Sequence, residues 1–449
     1  MDDHPLGERV STRTMTRRDF LWLASVSTAG IVTGCAVNPV TGQRQLMLVT
    51  EDQEIQIDQE NSPHQFSSDY GPLQDPQLNT YIAQVGQELV VNSHRPNMPY
   101  SFRGVNATYV NAYAFPGGSI AATRGILLEM ENEAELAALL GHEIGHVNAR
   151  HTAERMTKNL VVGALVAGAT AYLEAEHEKW APLAAGLGGI AAGALLAHYS
   201  REDERQADAL GMEYMTRIGQ NPSGMVGLMD VLRSLSKHKP STIEMMFSTH
   251  PMSEERFQTA QQRAATDYPT FQNAPVNRDR YMDYTAGLRR IKGAIEDFQE
   301  GEKAMAAQKY RQAESSLDSG LQQAPDDYAG LVMMAKCHLA QNNHRQAEYY
   351  AQRAKEVFPT EAQAHHISGM AQLGQNNFGA AYQEFDNYER MLPGNPNTIF
   401  LKGVTLEGMQ HRQQAAEEYY RYLQAVNQGD QAQYAYQRLV KWGYLQPQE

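Results

Sequence analysis

Small residues and prolines recur at a fixed spacing of 34 positions along the last third of the chain. Alanine fills one column of the pattern, proline a second, and alanine or glycine a third. The columns are Ala313, Ala347, Ala381 and Ala415; Pro325, Pro359 and Pro393; and Ala306, Ala340, Gly374 and Gly408. Small residues recur where paired helices touch, and prolines recur where helices end. The pattern predicts about four helix pairs between Ile291 and the C-terminus.

This spacing resembles that of tetratricopeptide repeats. Generic helical hairpins are the alternative, but they would not keep one spacing through three columns. The last row departs from the pattern, because Asn427 stands in the proline column. We expect an α-solenoid over residues 291–445, whose concave face binds peptides or partner proteins.

A second apolar pattern, with helical spacing, lies in "AALLGHEIGHVNARH", Ala137 to His151. Its buried face comprises Leu136, Leu139, Leu140 and Val147. Asn132 and Glu135 form a plausible N-cap pair before this face. The pattern predicts one helix from about Glu133 to Met156.

The predicted helix carries a metal-binding pattern. His142 and His146 are four residues apart, so both project from one face and can chelate one metal ion. Glu143 lies about 100° round the helix, near enough to hold a metal-bound water. A metal site needs a third protein ligand, and His151, five residues past His146, has rotated off the ligand face. The pattern alone is only suggestive, because it also arises by chance.

A candidate third ligand lies downstream in "HYSREDERQADALG". Glu204 and Asp208 are four residues apart on a predicted helix and face the same way. Glu204 can bind the metal, while Asp208 can orient a ligand histidine by accepting its other N–H. The alternative is that both carboxylates belong to a solvated face with Arg201 and Arg205.

Four motifs in this order resemble the glutamate-ligand zincins of the prenyl-protein protease and HtpX type. They are "NAYAFPGG" (Asn111 to Gly118) followed by "TRGIL", then "GHEIGH", "ERQAD" and "STHPMSEER" (Ser248 to Arg256). With the repeats behind them, the chain resembles the BepA-like periplasmic protease-chaperones of that family. The resemblance implies a mainly α protein, with a helical zincin domain and a small sheet at residues 36–288.

The resemblance also implies the chemistry of the site. One zinc ion per chain would be held by His142, His146 and Glu204. Glu143 would act as the general base, and Asp208, the other catalytic residue, would orient a ligand histidine.

Two further elements of the family pattern have counterparts here. The stretch Asn111, Ala112 and Tyr113 would pair with an extended substrate as an extra strand, which makes sequence preference loose. His250 has three open roles. It could stabilise the oxyanion, occupy the fourth zinc position and hold the enzyme latent, or be a structural histidine.

The N-terminus, "TMTRRDFLWLASVSTAGIVTGCAVNP", resembles a twin-arginine lipoprotein signal over residues 1–35. It has the paired Arg17 and Arg18, an apolar run, and a small-residue cleavage site before Cys35. A short buried helix is the alternative. As Ala36 follows in place of aspartate, we expect a periplasmic protein anchored to the outer membrane by a lipidated Cys35. BepA-like proteins are usually soluble, so this attachment rests on Cys35 alone.

Two apolar stretches, Leu160 to Leu173 and Ala181 to Ala197, each fall short of the roughly 20 residues that a membrane-spanning helix needs. They are predicted to be buried helices, or an amphiphilic hairpin that rests on a membrane or closes a cleft.

Composition excludes two protein classes. The net charge of −14 argues against a nucleic-acid partner. The chain has only two cysteines, which excludes a disulfide scaffold, and Cys337 lies in an apolar run typical of a buried free thiol.

The predicted function is a zinc-dependent endopeptidase of the bacterial envelope that degrades misfolded or stalled outer-membrane proteins and assists their assembly. The repeats would bind the outer-membrane assembly machinery, and the lipid would bind the membrane. The alternative is a lipid-anchored chaperone or adaptor with little or no proteolysis.

Overall fold

The computed structural model describes residues 35–159, 198–238 and 246–446. The strands are β1 Cys35–Val37, β2 Arg44–Leu46, β3 Ser101–Val105, β4 Ala112–Ala114 and β5 Ser119–Thr123. The N-terminal helices are α1 Glu51–Ser68, α2 Pro76–Val91, α3 Arg124–Glu129, α4 Glu133–Ala149, α5 Arg201–Arg217, α6 Ser223–His238, α7 Glu254–Thr266 and α8 Arg278–Arg290, with a 3-10 turn at Pro269–Phe271. The repeat helices are α9 Lys292–Ala306, α10 Tyr310–Gln323, α11 Tyr328–Ala340, α12 His344–Val357, α13 Gln363–Gly374, α14 Phe378–Met391, α15 Pro396–Gly408, α16 Arg412–Ala425 and α17 Asp430–Lys441. The predicted mainly helical fold with small sheets is confirmed.

A three-stranded sheet lies beside the metal motifs. Its order is β3, β5, β4, with β3 parallel and β4 antiparallel to β5. Ala112 pairs with Ala122, and Ala114 pairs with Ile120. Among the described strands, β4 is therefore at the edge of the sheet, the position from which a further strand can be added.

Helices α4 and α5 cross at very close range because small residues line their contact. A Cβ atom at Gly141 would lie 3.0 Å from the carbonyl oxygen of Gly211, and one at Gly145 would lie 3.1 Å from the Cα of Ala207. Larger side chains at these glycines would push the helices apart. The small residues therefore bring the first turn of α5 against the metal-binding face of α4.

Helix α4 is shorter than predicted. It ends at Ala149, and Arg150 adopts a left-handed conformation with φ of 61°. The Arg150 guanidinium lies 3.1 Å from the Glu54 carboxylate and donates to the carbonyl of Val49 at 2.8 Å. These bonds fix the turn, and the chain becomes helical again at residues 151–159. The prediction of one continuous helix to Met156 was wrong, because tertiary contacts of Arg150 end the first helix.

Four consecutive helix pairs, α9/α10 to α15/α16, follow the N-terminal domain, and α17 comes after them. The alanines of the 34-residue column are all fully buried. The turn inside each pair contains one residue with a left-handed backbone, and these residues are again 34 positions apart: Gln308, Asn342, Asn376 and Gln410. Cys337 is a buried free thiol, as predicted.

The repeats pack directly against the N-terminal domain. Arg124, at the start of α3, forms a buried ion pair with Asp327 at 2.6 Å. Tyr70 lies in the apolar core of the repeats and donates a hydrogen bond of 2.8 Å to Glu302. The ammonium of Lys336 lies 4.6 Å above the Tyr70 ring. Polar contacts thus join the two domains through buried side chains.

The loop before β4 is also held by the repeats. Gln299 donates to the carbonyl of Thr108 at 2.7 Å, and the Thr108 hydroxyl donates to Glu302. The first repeat helix, α9, therefore braces the chain four residues before the edge strand.

Three predicted features fall outside the described residues: the signal segment up to residue 34 and the apolar stretches 160–173 and 181–197. Within the described ranges, no helix is both long and apolar enough to cross a membrane.

Candidate metal centre

Four buried side chains converge where α4 meets α5. His142 and His146 come from α4, Glu204 from the first turn of α5, and His250 from the segment before α7. The Nε2 atoms of His142 and His146 are 3.0 Å apart, and His146 Nε2 lies 3.3 Å from Glu204 Oε1. His250 Nδ1 lies 2.9 Å from the same oxygen. The structure therefore brings together the three predicted ligands and His250.

These residues fit a divalent metal ion. Ligand atoms about 2.0–2.1 Å from a tetrahedral zinc lie roughly 3.3 Å from one another. The spacings here are similar, since His142 Nε2 lies 3.6 Å from Glu204 Oε2 and 3.3 Å from His250 Nδ1. Imidazole and carboxylate are ligands that suit zinc. A cation between them would also remove the repulsion between nitrogen lone pairs at this range.

Asp208 lies behind His142 and outside the ligand cluster. Its Oδ1 is 2.9 Å from His142 Nδ1. A carboxylate can only accept, so the proton lies on Nδ1 and the bare Nε2 faces the cluster. Asp208 therefore contacts the outer nitrogen of His142, on the side away from the cluster.

Arg256 holds both carboxylates, a role that the sequence analysis did not assign. Its guanidinium donates to the two oxygens of Asp208 at 2.7 Å and lies 2.7 Å from Glu204 Oε2. Burial alone would raise the pKa of Asp208, but Arg256 and His142 outweigh this effect and lower the pKa. In the sequence, the one feature that pointed to Arg256 was its position as the last residue of the motif "STHPMSEER".

His146 is located by two neighbours that are not ligands. His151 Nδ1 lies 2.9 Å from His146 Nδ1, and the Tyr199 ring stacks on His146 at 3.8 Å between ring centroids. Burial lowers the pKa of both His146 and His151, so both rings are neutral at neutral pH. His151 lies outside the ligand cluster, as its position on the helix indicated. No sequence signal pointed to Tyr199.

Glu143 is fully buried beside the cluster, and neither of its carboxylate oxygens has a hydrogen-bond partner. Burial raises the pKa of Glu143, although His250 and His142 oppose this effect. His250 Nε2 is the near neighbour, 3.8 Å from Glu143 Oε1. Burying an unpaired carboxylate is costly, and such groups concentrate at functional sites.

His250 is held in the cluster by its own segment. Its backbone N–H donates to the carbonyl of Met246 at 2.6 Å, and Tyr199 N donates to the Thr249 carbonyl at 3.0 Å. Burial would lower the pKa of His250, but the carboxylates of Glu204 and Glu143 outweigh it and raise the pKa. Backbone hydrogen bonds of His250 and of the preceding residue, Thr249, therefore hold His250 in the site.

The predicted substrate stretch, Asn111 to Tyr113, lies just before the residue that lines the cleft at the centre. β4 begins at Ala112, and its last residue, Ala114, lines a small cleft together with His146 and Tyr199. The Tyr113 side chain packs in an apolar core cluster and donates to Asp69. The Asn111 side-chain oxygen is buried without a hydrogen-bond partner. All three residues of this stretch are buried, and the backbone N–H and carbonyl of Asn111 already bond to Thr123.

Comparison with protein-family models identifies three regions. The model of peptidase family M48 matches residues 76–264, which include all four groups of the cluster. A tetratricopeptide-repeat model matches residues 304–373. The model of the ubiquitinol-cytochrome C reductase Fe-S subunit TAT signal matches residues 8–43.

Curated relatives share these regions in part. The beta-barrel assembly-enhancing protease of Yersinia pestis is 26% identical over 77% of this chain and 76% of its own length. The putative beta-barrel assembly-enhancing protease of Vibrio cholerae is 31% identical over 49% of this chain and 44% of its own length. The metalloprotease YcaL of Escherichia coli is 33% identical over 37% of this chain and 63% of its own length. The chain thus spans less than half of the Vibrio relative.

The family match, the metalloproteases among the relatives and the ligand cluster support a metalloendopeptidase. The repeat match agrees with the helix pairs that follow. The chain therefore combines a peptidase family M48 domain with tetratricopeptide repeats, as its sequence predicted.

Proposed function

We propose that this chain is a zinc-dependent endopeptidase of the bacterial envelope. The observation that carries the proposal is Glu143, a fully buried carboxylate with no hydrogen-bond partner beside four ligand groups. A structural metal site closes its coordination with protein ligands and has no use for a base beside it. A hydrolytic site needs such a base.

His142, His146 and Glu204 would hold the zinc ion. When bound, zinc would supply Lewis acidity that polarises a carbonyl and lowers the pKa of water to about 7. Glu143 accepts the proton of the attacking water and passes it to the leaving amine. The edge of β4 pairs with an extended substrate through main-chain hydrogen bonds.

His250 is assigned the role of a latch. Its Nδ1 lies 3.3 Å from His142 Nε2 and 2.9 Å from Glu204 Oε1, so it would occupy the fourth position of the metal. We expect His250→Ala to raise basal proteolysis by the purified chain. Lower cleavage would instead support an oxyanion role, and unchanged cleavage a structural one.

The location and clients are also proposals. The match to a twin-arginine signal over residues 8–43 supports export to the periplasm, where a lipidated Cys35 would attach the chain to the outer membrane. The names of the Yersinia and Vibrio relatives support a protease with a role in β-barrel assembly. We extend this to misfolded or stalled outer-membrane proteins as its substrates. The repeats would then bind the assembly machinery.

The test pairs metal content with cleavage of an unfolded protein such as casein, using residues 36–449. The parent, Glu143→Gln and a control, Glu131→Gln on the surface before α4, are compared. We expect about one zinc in all three, with cleavage only by the parent and the control. Zinc without cleavage in the parent would be consistent with a latent enzyme. Cleavage by His250→Ala would then show that the enzyme is latent.

The chaperone or adaptor hypothesis makes a different prediction in cells. Full rescue of envelope integrity by Glu143→Gln in a strain that lacks the protein would favour the adaptor. Failure to rescue would favour the endopeptidase.

A further inference from the structure

The two ligand histidines of α4 have different partners on their outer nitrogens. His142 Nδ1 faces a carboxylate, that of Asp208. His146 Nδ1 faces another imidazole, His151 Nδ1, at 2.9 Å. A carboxylate can only accept, so the imidazole nitrogen that faces it carries the proton. An imidazole can either donate or accept at each nitrogen. The protonation of His146 therefore depends on what holds the far side of His151.

Gln206 and Asp203 hold that far side. His151 Nε2 lies 2.9 Å from Gln206 Oε1 and 3.7 Å from Asp203 Oδ1. Both oxygens are acceptors, so the proton of His151 lies on Nε2 and its Nδ1 is bare. Bare Nδ1 accepts the proton of His146 Nδ1. His146 Nε2 is then left as a lone pair directed at the ligand cluster.

Two further contacts fix the positions of the His146 and His151 rings. The left-handed Arg150 turns the chain so that His151 folds back towards His146. The stacked Tyr199 ring restricts the plane of the His146 ring, and the Tyr199 hydroxyl lies 3.0 Å from the Thr152 hydroxyl. The position of the imidazole pair is thus set by contacts that do not involve a metal.

We propose that Gln206 and His151 form a relay that fixes His146 as the tautomer able to bind the metal. Both are positioning residues, and the inference rests on the metal site of the proposed function. Reversal of the Gln206 amide would invert the relay. An N–H directed at His151 would move the proton of His146 to Nε2, where it blocks ligation.

Two matched substitutions at Gln206 test the direction of the relay. Gln206→Glu keeps the shape of the side chain, and its oxygens can only accept a hydrogen bond from His151, so it preserves the relay. Gln206→Met keeps the length but removes the acceptor. His151→Phe removes the relay itself at similar size. The control is Glu202→Met, an exposed position on the same helix α5.

The measurements are the zinc dissociation constant of the full chain, by competition with a fluorescent chelator, and the absorption spectrum of the cobalt(II) form. Loss of such an outer partner weakens metal binding by about 10- to 100-fold. We expect that weakening, with an altered cobalt spectrum, for Gln206→Met and His151→Phe. Gln206→Glu and the control should stay within about threefold of the parent.

The relay is overturned if Gln206→Met binds zinc like the parent, or if Gln206→Glu loses as much affinity as Gln206→Met. If His151→Phe does not fold, the two Gln206 variants test the relay alone. They are expected to fold because the Gln206 side chain is only half-buried. A parent that binds zinc tightly but cleaves nothing overturns the endopeptidase and leaves the relay standing. A parent that binds no zinc overturns both.

Discussion

The repeat domain and the metal centre are built from different kinds of contact. In the repeats, the same buried alanine and the same left-handed turn residue return every 34 positions, and each helix packs mainly on its neighbours in sequence. In the centre, His142 meets His250 across 108 positions of sequence. The sequence of a single 34-residue repeat is therefore enough to predict the structure of the repeat domain. The metal centre exists only once distant segments have packed together.

The two regions also treat buried charge differently. Lys402 of the repeats is buried, and its ammonium lies 3.0 Å from Asp386 and 2.7 Å from Glu389. Glu143 of the centre is buried without a hydrogen-bond partner, and His250 Nε2 is no closer to it than 3.8 Å. The comparison indicates that the repeats are stable as they stand, whereas the centre gains stability from a ligand.

Metal removal should show this difference most strongly. At a metal concentration about 1,000 times the dissociation constant, binding stabilises the folded state by about 4 kcal/mol. Chelation should therefore speed amide hydrogen exchange in α4 and α5 and leave α13 to α16 unchanged, as measured by mass spectrometry. Glu143→Gln keeps the ligands and should respond like the parent. Equal acceleration in the repeats would contradict the comparison.

Breaking the ion pair between the domains should have the next largest effect. Arg124→Met leaves Asp327 buried without its partner, which should lower the free energy of unfolding by about 3 kcal/mol in urea. The control is Arg278→Met, which removes an exposed ion pair between Arg278 and Glu131, 3.9 Å apart. It should change the free energy of unfolding little. Adding Asp327→Asn should recover part of the loss, since Asp327 is the N-cap of α11 and asparagine can also fill that position. A loss below about 1 kcal/mol would show that the domains do not depend on this pair.

The junction of the two regions should depend on pH through Lys336. Burial lowers the pKa of Lys336 to about 8, against the opposing effect of Glu302 and Asp69. Because the unfolded lysine has a pKa near 10.4, the unfolded chain binds more protons between these values, so stability rises with pH. We expect the parent to gain about 1 kcal/mol more than Lys336→Met between pH 7 and pH 9. Equal slopes of unfolding free energy against pH would contradict this.

The smallest expected effect lies in the turns of the repeats. Gln410 has φ of 64°, a conformation that is strained for glutamine and free for glycine. Gln410→Gly should raise the free energy of unfolding by about 0.5 kcal/mol. Asn342→Gly at the equivalent turn should change it less, because asparagine tolerates this conformation. Destabilisation by Gln410→Gly in thermal unfolding would show that its side chain has a role in packing.

The sequence by itself determined the periodic and the helical parts of this picture. The columns of alanine and proline predicted the helix pairs, because each repeat packs on the next in the same way. His142 with His146, and Glu204 with Asp208, could be paired because four residues along a helix return to one face. These inferences needed only local geometry.

Only the tertiary structure decided which groups stand behind the ligands. Arg256, Tyr199 and the pair of His151 with Gln206 come from separate segments, so no spacing in the sequence relates them. The left-handed turn at Arg150 depends on Glu54, which lies 96 positions away. The packing of α9 against the loop before β4 likewise joins residues 191 positions apart. Contacts at such separations are set by how whole helices pack, and a pattern along the chain carries no information about them.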